Sequence, residues 1–149
     1  MRALIDNYQS FLTDERQALL TDIGLLLLRL ASGLFMAFAH GWGKLQKFLA
    51  GGEIQFADPI GVGAATSLFL AASAEFFAAL AIAVGFLTRL SAIPLAFTMF
   101  VAGIIVHGDD PFRKKELALV YLVAYVVLLL TGPGRFSVDA ILKKKFSST

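Results

Sequence analysis

The sequence predicts an all-α membrane protein whose core is a four-transmembrane-helix bundle. Hydrophobic residues make up 58% of the chain and charged residues only 16%, against about 25% charged residues in an average soluble domain. The longest apolar run, residues 64–87, contains one charge, Glu75. As a helix it would cover about 36 Å, which exceeds the hydrocarbon thickness of about 30 Å. The 149 residues fit about four such spans with short connections, so a single domain, 1–149, is expected.

The N-terminal segment, residues 1–22, is predicted to be an amphipathic helix at the membrane interface. Its apolar residues recur at helical spacing with charged residues between them, a pattern typical of helices that lie in the headgroup region. The same charges interrupt any apolar core, so no signal peptide is expected. Insertion is therefore expected to depend on the first span.

The membrane bundle is predicted within residues 23–140. Its spans are expected at about 23–40, 64–87, 91–107 and 113–130. Pro94 falls in the first turn of the third predicted span, where a missing N–H costs little. The fourth span should end at Gly132-Pro133-Gly134, which cannot continue a helix. Residues 141–149 are predicted to be a basic tail.

The connections between the predicted spans differ in length. Residues 87–90 allow only a tight turn, so the second and third spans must be antiparallel neighbours. The first connection, about residues 45–63, is too long for a turn and contains Pro59 and several glycines. Loops of this length are commonly functional. This one is predicted to be a lid or a re-entrant piece.

Charge placement favours an orientation with both termini in the cytoplasm, in the inner membrane of a prokaryotic cell. Seven cations fall on the side of the termini and five on the opposite side, and cytoplasmic flanks carry the excess. The seven are Arg2, Arg16, Arg89, Arg135, Lys143, Lys144 and Lys145. The basic residues thus mark membrane flanks, and no nucleic-acid partner is expected. The expected partners are the lipid bilayer and either other protein subunits or further copies of the chain in a homo-oligomer.

Glu75 is the residue that most needs an explanation. A charge at the centre of a bilayer costs about 3 kcal/mol unless the group is neutralised, paired or exposed to water. A functional or partnered site is therefore predicted there. On the first span, small and basic side chains share one helical stripe, and the small ones predict contact with a neighbouring helix. The stripe comprises Arg29, Ser32, Gly33, Met36, His40 and Lys44.

The topology predicts one polar column that opens to one membrane surface. The residues expected at that surface, opposite the termini, are His40, Lys44, His107 and Glu116. Glu75 should lie below them and Arg29 deeper still. Imidazoles that titrate near neutral pH suit proton exchange with carboxyls, so Glu75, His40 and His107 are the predicted catalytic residues. The predicted ligand-binding residues are Arg29, Lys44, Trp42, Glu116 and Tyr121.

Each of these residues also has a structural interpretation. Arg29 and Glu75 could form an ion pair that only fixes helix register, the two histidines could cap helix ends, and the aromatic residues could anchor the membrane interface. Haem or metal ligation by His40 and His107 is a minor alternative, so neither a metal nor a covalently bound cofactor is expected. The chain has no cysteine, which excludes disulfides and cysteine-ligated iron–sulfur clusters within it.

Four stretches, taken in order, resemble the DoxX family of small four-span membrane proteins, which includes the DoxD type. They are Leu28-Arg29-Leu30 leading into His40-Gly41-Trp42-Gly43-Lys44-Leu45; Glu75 through Gly85 to Leu87-Thr88-Arg89; His107; and Lys115-Glu116 followed by Tyr121 and Thr131-Gly132-Pro133-Gly134-Arg135-Phe136-Ser137-Val138-Asp139. The resemblance covers about residues 23–140. It implies a link to thiosulfate:quinone oxidoreduction and to membrane complexes that manage oxidative or thiol stress.

The preferred hypothesis is a membrane subunit of a quinone-linked redox system that binds a quinone-like or small anionic molecule above Glu75. In this hypothesis Glu75 carries protons and pairs with Arg29, while the histidines exchange protons or hydrogen-bond a carbonyl. The chain would then be an oxidoreductase subunit rather than an enzyme on its own. Two alternatives stay open. One is a proton-coupled small-molecule transporter, and the other is a structural or assembly subunit of a larger membrane complex.

Overall fold

In the computed structural model, which describes Met1 and residues 14–147, every regular element is a helix. The helical units are α1 (Asp14–Ala50), α2 (Ala64–Val84), α3 (Thr88–Val106), α4 (Phe112–Thr131) and α5 (Val138–Ser147). The first three are long and apolar enough to cross a membrane. The predicted class, an all-α membrane protein, is therefore confirmed.

α1 extends beyond the predicted first span at both ends. Residues 14–22, the second part of the predicted amphipathic segment 1–22, are continuous with the span. Residues 2–13 of that segment lie outside the described residues. At the other end the helix continues past His40, because Gly41 keeps helical backbone angles, with φ −68° and ψ −44°. The helix ends only before Gly51, where φ is +69°.

Each of the three apolar helices contains a π-helical segment. The segments are Met36–Gly41 in α1, Ala74–Ala78 in α2 and Val101–Val106 in α3. π-helical turns are rare and occur frequently at functional sites. His40 and Glu75 lie within two of these segments, and His107 directly follows the third. The three residues predicted to be catalytic thus coincide with the three departures from α-helical geometry.

α1 and α2 cross at close range along the small-residue stripe of α1. A Cβ atom on Gly33 would lie 2.6 Å from the carbonyl oxygen of Ala79, and one on Gly41 would lie 2.5 Å from the carbonyl oxygen of Glu75. Both positions therefore need glycine for the backbones to approach this closely. Ser32, in the same stripe, is also buried. The prediction that this stripe faces protein is confirmed.

α3 begins at Thr88, earlier than the predicted start near Ser91. The Asp139 carboxylate accepts hydrogen bonds from the backbone N–H groups of Leu87 (2.7 Å) and Thr88 (2.9 Å). These bonds satisfy donors at the helix N-terminus, which allows the helix to start inside the tight turn. Pro94 consequently lies inside α3, and the prediction that it occupies the first turn is wrong.

α4 packs along α3, and its bounds agree with the fourth predicted helix. Charged residues near its N-terminus, from Arg113 to Glu116, distinguish it from the three spans that length and hydropathy identify. Beyond Gly132 the chain forms α5, so most of the predicted basic tail is helical.

α2 and α3 are in contact over only part of their length. The second half of α2, from Ala74 onward, packs against α3, whereas its first half, Ala64–Ser73, packs mainly against Trp42–Ala50 of α1. The two helices are joined by the tight turn after Val84 and separate toward the opposite end. This separation leaves the space in which the candidate site lies.

Candidate functional site

A cavity of about 430 Å³ lies between α2 and α3. Its volume falls in the range of about 300–1,000 Å³ that is typical of small-molecule sites. Most of its wall is apolar, contributed by both helices and by the loop between α1 and α2. The polar side chains among its lining residues are those of Lys44, Ser67, Glu75, Thr98 and His107. An apolar pocket with a few convergent polar groups is the usual form of a ligand site.

Glu75 is paired with Lys44 in this cavity. The Lys44 ammonium group donates a hydrogen bond to Glu75 Oε2; the Glu75 side chain is 4% exposed and that of Lys44 is 28% exposed. The predicted pairing of Glu75 with Arg29 is therefore wrong. The continuation of α1 beyond His40 brings Lys44 over the carboxylate, and Gly41 allows the close approach that this requires.

Arg29 lies at the other end of α2 and does not line the cavity. Its guanidinium group is completely buried and donates hydrogen bonds to the carbonyl oxygens of Ile82 (3.5 Å), Ala83 (3.2 Å) and Phe136. The first two belong to the C-terminal turn of α2, where the negative end of the helix dipole favours a cation. This geometry gives Arg29 a structural role rather than the predicted contact with a ligand.

His107 lines the cavity and is held by a residue that the sequence prediction missed. Its Nδ1 atom lies 2.8 Å from Asp110 Oδ2, and Asp110 Oδ1 accepts a hydrogen bond from Lys114 Nζ at 3.1 Å. These hydrogen bonds from His107 and Lys114 lower the pKa of Asp110 below its ordinary value of 3.8. An ionised carboxylate only accepts hydrogen bonds. Nδ1 of His107 therefore carries a proton, and Nε2 is left to interact with a ligand.

Replacing Asp110 by Asn is expected to destabilise the protein at neutral pH and not at low pH. Because the folded-state pKa of Asp110 is lowered, its stabilising effect is full above the ordinary value of 3.8 and is lost as the pH falls through the lowered value. The melting temperatures of the wild type and Asp110→Asn should therefore differ at pH 7 and converge as the pH falls below 3.8 and through the lowered pKa of Asp110.

The neighbouring exposed residue Asp109 offers a matched control for this prediction. Asp109→Asn should show no such pH-dependent difference. The ¹⁵N shifts of His107 provide a second measurement, because neutral His107 in the wild type should be the Nδ1–H tautomer. An unchanged tautomer in Asp110→Ala, which removes the acceptor that an Asn amide oxygen would still provide, would contradict the orienting role of Asp110.

The remaining predicted site residues lie outside the cavity. The His40 ring packs edge-on against Tyr121, with ring centroids 5.9 Å apart, and Tyr121 stacks on the buried Tyr125 at 6.0 Å. Trp42 packs on Phe76 at 5.5 Å. Glu116 is exposed in the first turns of α4. The single predicted column is thus divided into the cavity and a separate His40–Tyr121–Tyr125 group between α1 and α4.

The structure places the two histidines in different surroundings. His107 lines the cavity, whereas His40 contacts Tyr121 and does not. Within residues 14–147, no group of three or more histidine, aspartate or glutamate side chains is placed to hold a metal ion.

The loop between α1 and α2 covers one end of the cavity. Its residues Phe56, Pro59 and Ile60 line the wall. The Asp58 carboxylate accepts hydrogen bonds from Gly63 N–H (2.8 Å) and from the hydroxyl group of Ser67 (2.7 Å), and these bonds lower the pKa of Asp58. They fasten the loop to the first turn of α2. Its placement agrees with the lid predicted for this connection.

Comparisons with known proteins agree with this architecture. The DoxX family profile matches residues 24–108, which include Lys44, Glu75 and His107. The inner membrane protein YqjF of Escherichia coli is 31% identical over 85% of this chain and 98% of its own length. An uncharacterized protein of Haemophilus influenzae is 28% identical over 87% of this chain and 90% of its own length. No solved structure gives a significant match. With more than half of its residues matched by the family profile and three helices suited to a bilayer, the chain belongs to the DoxX family and is an integral membrane protein.

Proposed function

We propose that this chain is the membrane subunit of a quinone-linked redox system and that it binds a quinone-like ring in the cavity between α2 and α3. The observation that carries the proposal is the cavity itself, which combines an apolar wall with Lys44, Glu75 and His107 as its ionisable groups. Its volume of about 430 Å³ suits one ring-sized ligand. A flat apolar ring with polar oxygens complements such a site.

A quinone-like ring fits the cavity better than the small anion that the sequence also allows. The charge of Lys44 is already compensated by Glu75, and Arg29 is engaged elsewhere. A small anion would therefore have to be desolvated without a free buried cation, which is unfavourable. Quinone carbonyls, in contrast, need only hydrogen-bond donors, which the Lys44 ammonium group can supply.

His107 and Glu75 are proposed to exchange protons with the bound ring. With Nδ1 of His107 held by Asp110, Nε2 donates to a quinone carbonyl when the imidazole is protonated and accepts from a hydroquinone hydroxyl when it is neutral. Glu75 can act in the same way from the buried end of the cavity. Electrons would come from a partner subunit. Smaller contributions to binding are expected from three predicted residues outside the cavity, His40, Trp42 and Tyr121, and none from the exposed Glu116.

The proposal includes a membrane arrangement with α4 as the fourth span. α4 has 20 residues and is about 30 Å long, and its charged side chains near one end can reach the interface. A fourth span completes the predicted four-transmembrane-helix bundle and puts both termini on one side, which the cation excess assigns to the cytoplasm. The name of the E. coli relative, an inner membrane protein, supports the same membrane for this chain.

The proposal is tested by quinone binding in lipid nanodiscs. Protein purified from its native membrane should carry extractable quinone, and delipidated protein should bind decylubiquinone saturably. Glu75→Gln should weaken binding about tenfold, equivalent to about 1.4 kcal/mol, because it removes the partner that orients Lys44. Glu116→Gln removes an exposed carboxylate outside the cavity and should leave binding unchanged. The absence of both extractable quinone and saturable binding would refute the proposal.

The two alternative functions predict other results for the same variants. A proton-coupled transporter would show solute flux in proteoliposomes that Glu75→Gln abolishes. An assembly subunit would co-purify with a larger complex and tolerate His107→Ala without loss of that complex or of its activity.

A further inference from the structure

The wall of the cavity includes residues of α2 and α3 that are exposed on the surface of the chain. The lid residues Phe56, Pro59 and Ile60 line the end near the membrane surface. Leu70 of α2 and Phe97 of α3 also line the cavity, and they are 49% and 55% exposed. Exposed apolar side chains on helices that span a membrane meet lipid. An opening between Leu70 and Phe97, called the lateral mouth below, would therefore face the bilayer.

The lateral mouth arises from the way α2 and α3 separate. The two helices pack against each other near the turn after Val84, but Ala64–Ser73 of α2 packs on α1 instead of α3. On the α3 side, Pro94 lines the cavity and cannot donate the usual backbone hydrogen bond. The π-helical segment Val101–Val106 follows. Both features are recognised causes of departures from a straight helix, and they fall on the wall that faces the gap.

The cavity offers both polar and apolar contacts. Its ionisable groups are Lys44 of α1, Glu75 of α2 and His107, which follows α3, and Ser67 and Thr98 add hydroxyl groups. The lateral mouth is lined by Leu70, Phe97 and other apolar side chains. A molecule that satisfies both regions has a polar head and an apolar tail, and only the head needs to leave the bilayer interior.

We propose, as an inference that rests on the proposed function, that the cavity binds a quinone with an isoprenoid-like tail. The quinone enters through the lateral mouth, and its tail stays in the bilayer between Leu70 and Phe97. The lid then has no part in ligand entry and serves to keep water from the ring. Because lipid is as apolar as the mouth, tail contacts should add affinity through van der Waals packing rather than through removal of apolar surface from water.

The test compares decylubiquinone with the same ring without a tail, at equal concentrations in the nanodisc bilayer. Wild-type protein should bind the tailed quinone about tenfold more tightly. Leu70→Trp narrows the mouth and should weaken binding of the tailed quinone about tenfold more than binding of the tail-less ring. Val84→Trp changes an exposed residue of the same helix outside the cavity and should affect neither ligand.

The outcomes separate this inference from the proposed function. If Leu70→Trp weakens both ligands equally, or neither, the lateral mouth is refuted while quinone binding stands. If neither ligand binds the wild type, the proposed function itself fails, and the inference fails with it.

A photoreactive group at the tail end provides a measurement that needs no variant. Cross-links to peptides that contain Leu70 or Phe97 are expected. Cross-links confined to the lid peptide, residues 51–63, would overturn the proposal.

Discussion

Lys44→Met is expected to destabilise the protein by about 3 kcal/mol, and Glu75→Gln in the same chain should restore most of the loss. The single substitution leaves the Glu75 carboxylate, whose side chain is 4% exposed, without its cation in an apolar cavity. Breaking a buried ion pair from one side costs about 3–5 kcal/mol. The lower end applies because the Lys44 side chain is 28% exposed and part of its interaction is screened.

The measurement is a double-mutant cycle on thermal or denaturant unfolding in a defined detergent. Lys44→Met, Glu75→Gln and the double variant should give a coupling energy of about 2 kcal/mol. Lys47→Met is the matched control, because Lys47 lies in the same part of α1 but is exposed and donates only to the Gln55 carbonyl oxygen; it should change stability by less than about 0.5 kcal/mol. Additive effects of Lys44→Met and Glu75→Gln would mean that the pair is not formed.

The identity of the Glu75 partner could not be predicted from helical periodicity. At a regular 100° per residue, Arg29, His40 and Lys44 share one stripe, and any of them could face Glu75. The choice depends on where α1 ends and on the π-helical segment Met36–Gly41. In the sequence, the glycines at positions 41 and 43 suggest that the helix ends there. In the structure, the helix continues, and Gly41 allows close contact with the Glu75 backbone. The sequence does not distinguish a glycine that ends a helix from one that packs against a neighbour.

Other parts of the site were predictable to different degrees. The lid was indicated by the length of the first connection and by Pro59, because a connection longer than a turn has to pack against the helices that it joins. His107 was identified from its place at the end of an apolar run. Asp110 was missed because an aspartate three residues after a histidine in a polar turn is common, and only the turn geometry brings the two side chains together. The residues of the lateral mouth, such as Phe97, carry no sequence signal that distinguishes them from lipid-facing residues.

The segment after α4 has a structural role that explains several residues of the last stretch quoted in the sequence analysis. Phe136 accepts a hydrogen bond from Arg29, Asp139 accepts from the first N–H groups of α3, and the Gly85 carbonyl oxygen accepts from Asp139 N–H at 2.9 Å. Gly85 has φ +72°, and a Cβ atom there would overlap the Arg29 guanidinium group. The segment therefore binds the α2–α3 turn at the end of the bundle opposite the lid, and its hydrogen bonds hold α2 and α3 together at that end. This set of contacts is called the clasp.

Arg29→Met is expected to open this clasp and to cost about 3–5 kcal/mol of stability. The substitution leaves the carbonyl groups of Ile82, Ala83 and Phe136 without their shared donor in a fully buried position. Arg29→Lys should recover only part of the loss. A single ammonium group cannot reproduce the planar guanidinium group, which hydrogen-bonds α2 and the segment after α4 at the same time. Arg89→Met removes an arginine that donates to one carbonyl oxygen, that of Leu130, from an exposed position, and should have little effect.

The clasp also predicts a local effect that a general loss of stability would not produce. In Arg29→Met, trypsin should cleave after Arg135 under conditions in which the bundle is still folded, because the segment from Gly132 to Asp139 loses its anchor on α2 before the helices separate. The same substitution should leave quinone affinity within about threefold of wild type in the folded fraction, since Arg29 lies at the far end of α2 from the cavity. A large loss of affinity in Arg29→Met, without enhanced cleavage after Arg135, would instead place Arg29 in the ligand site.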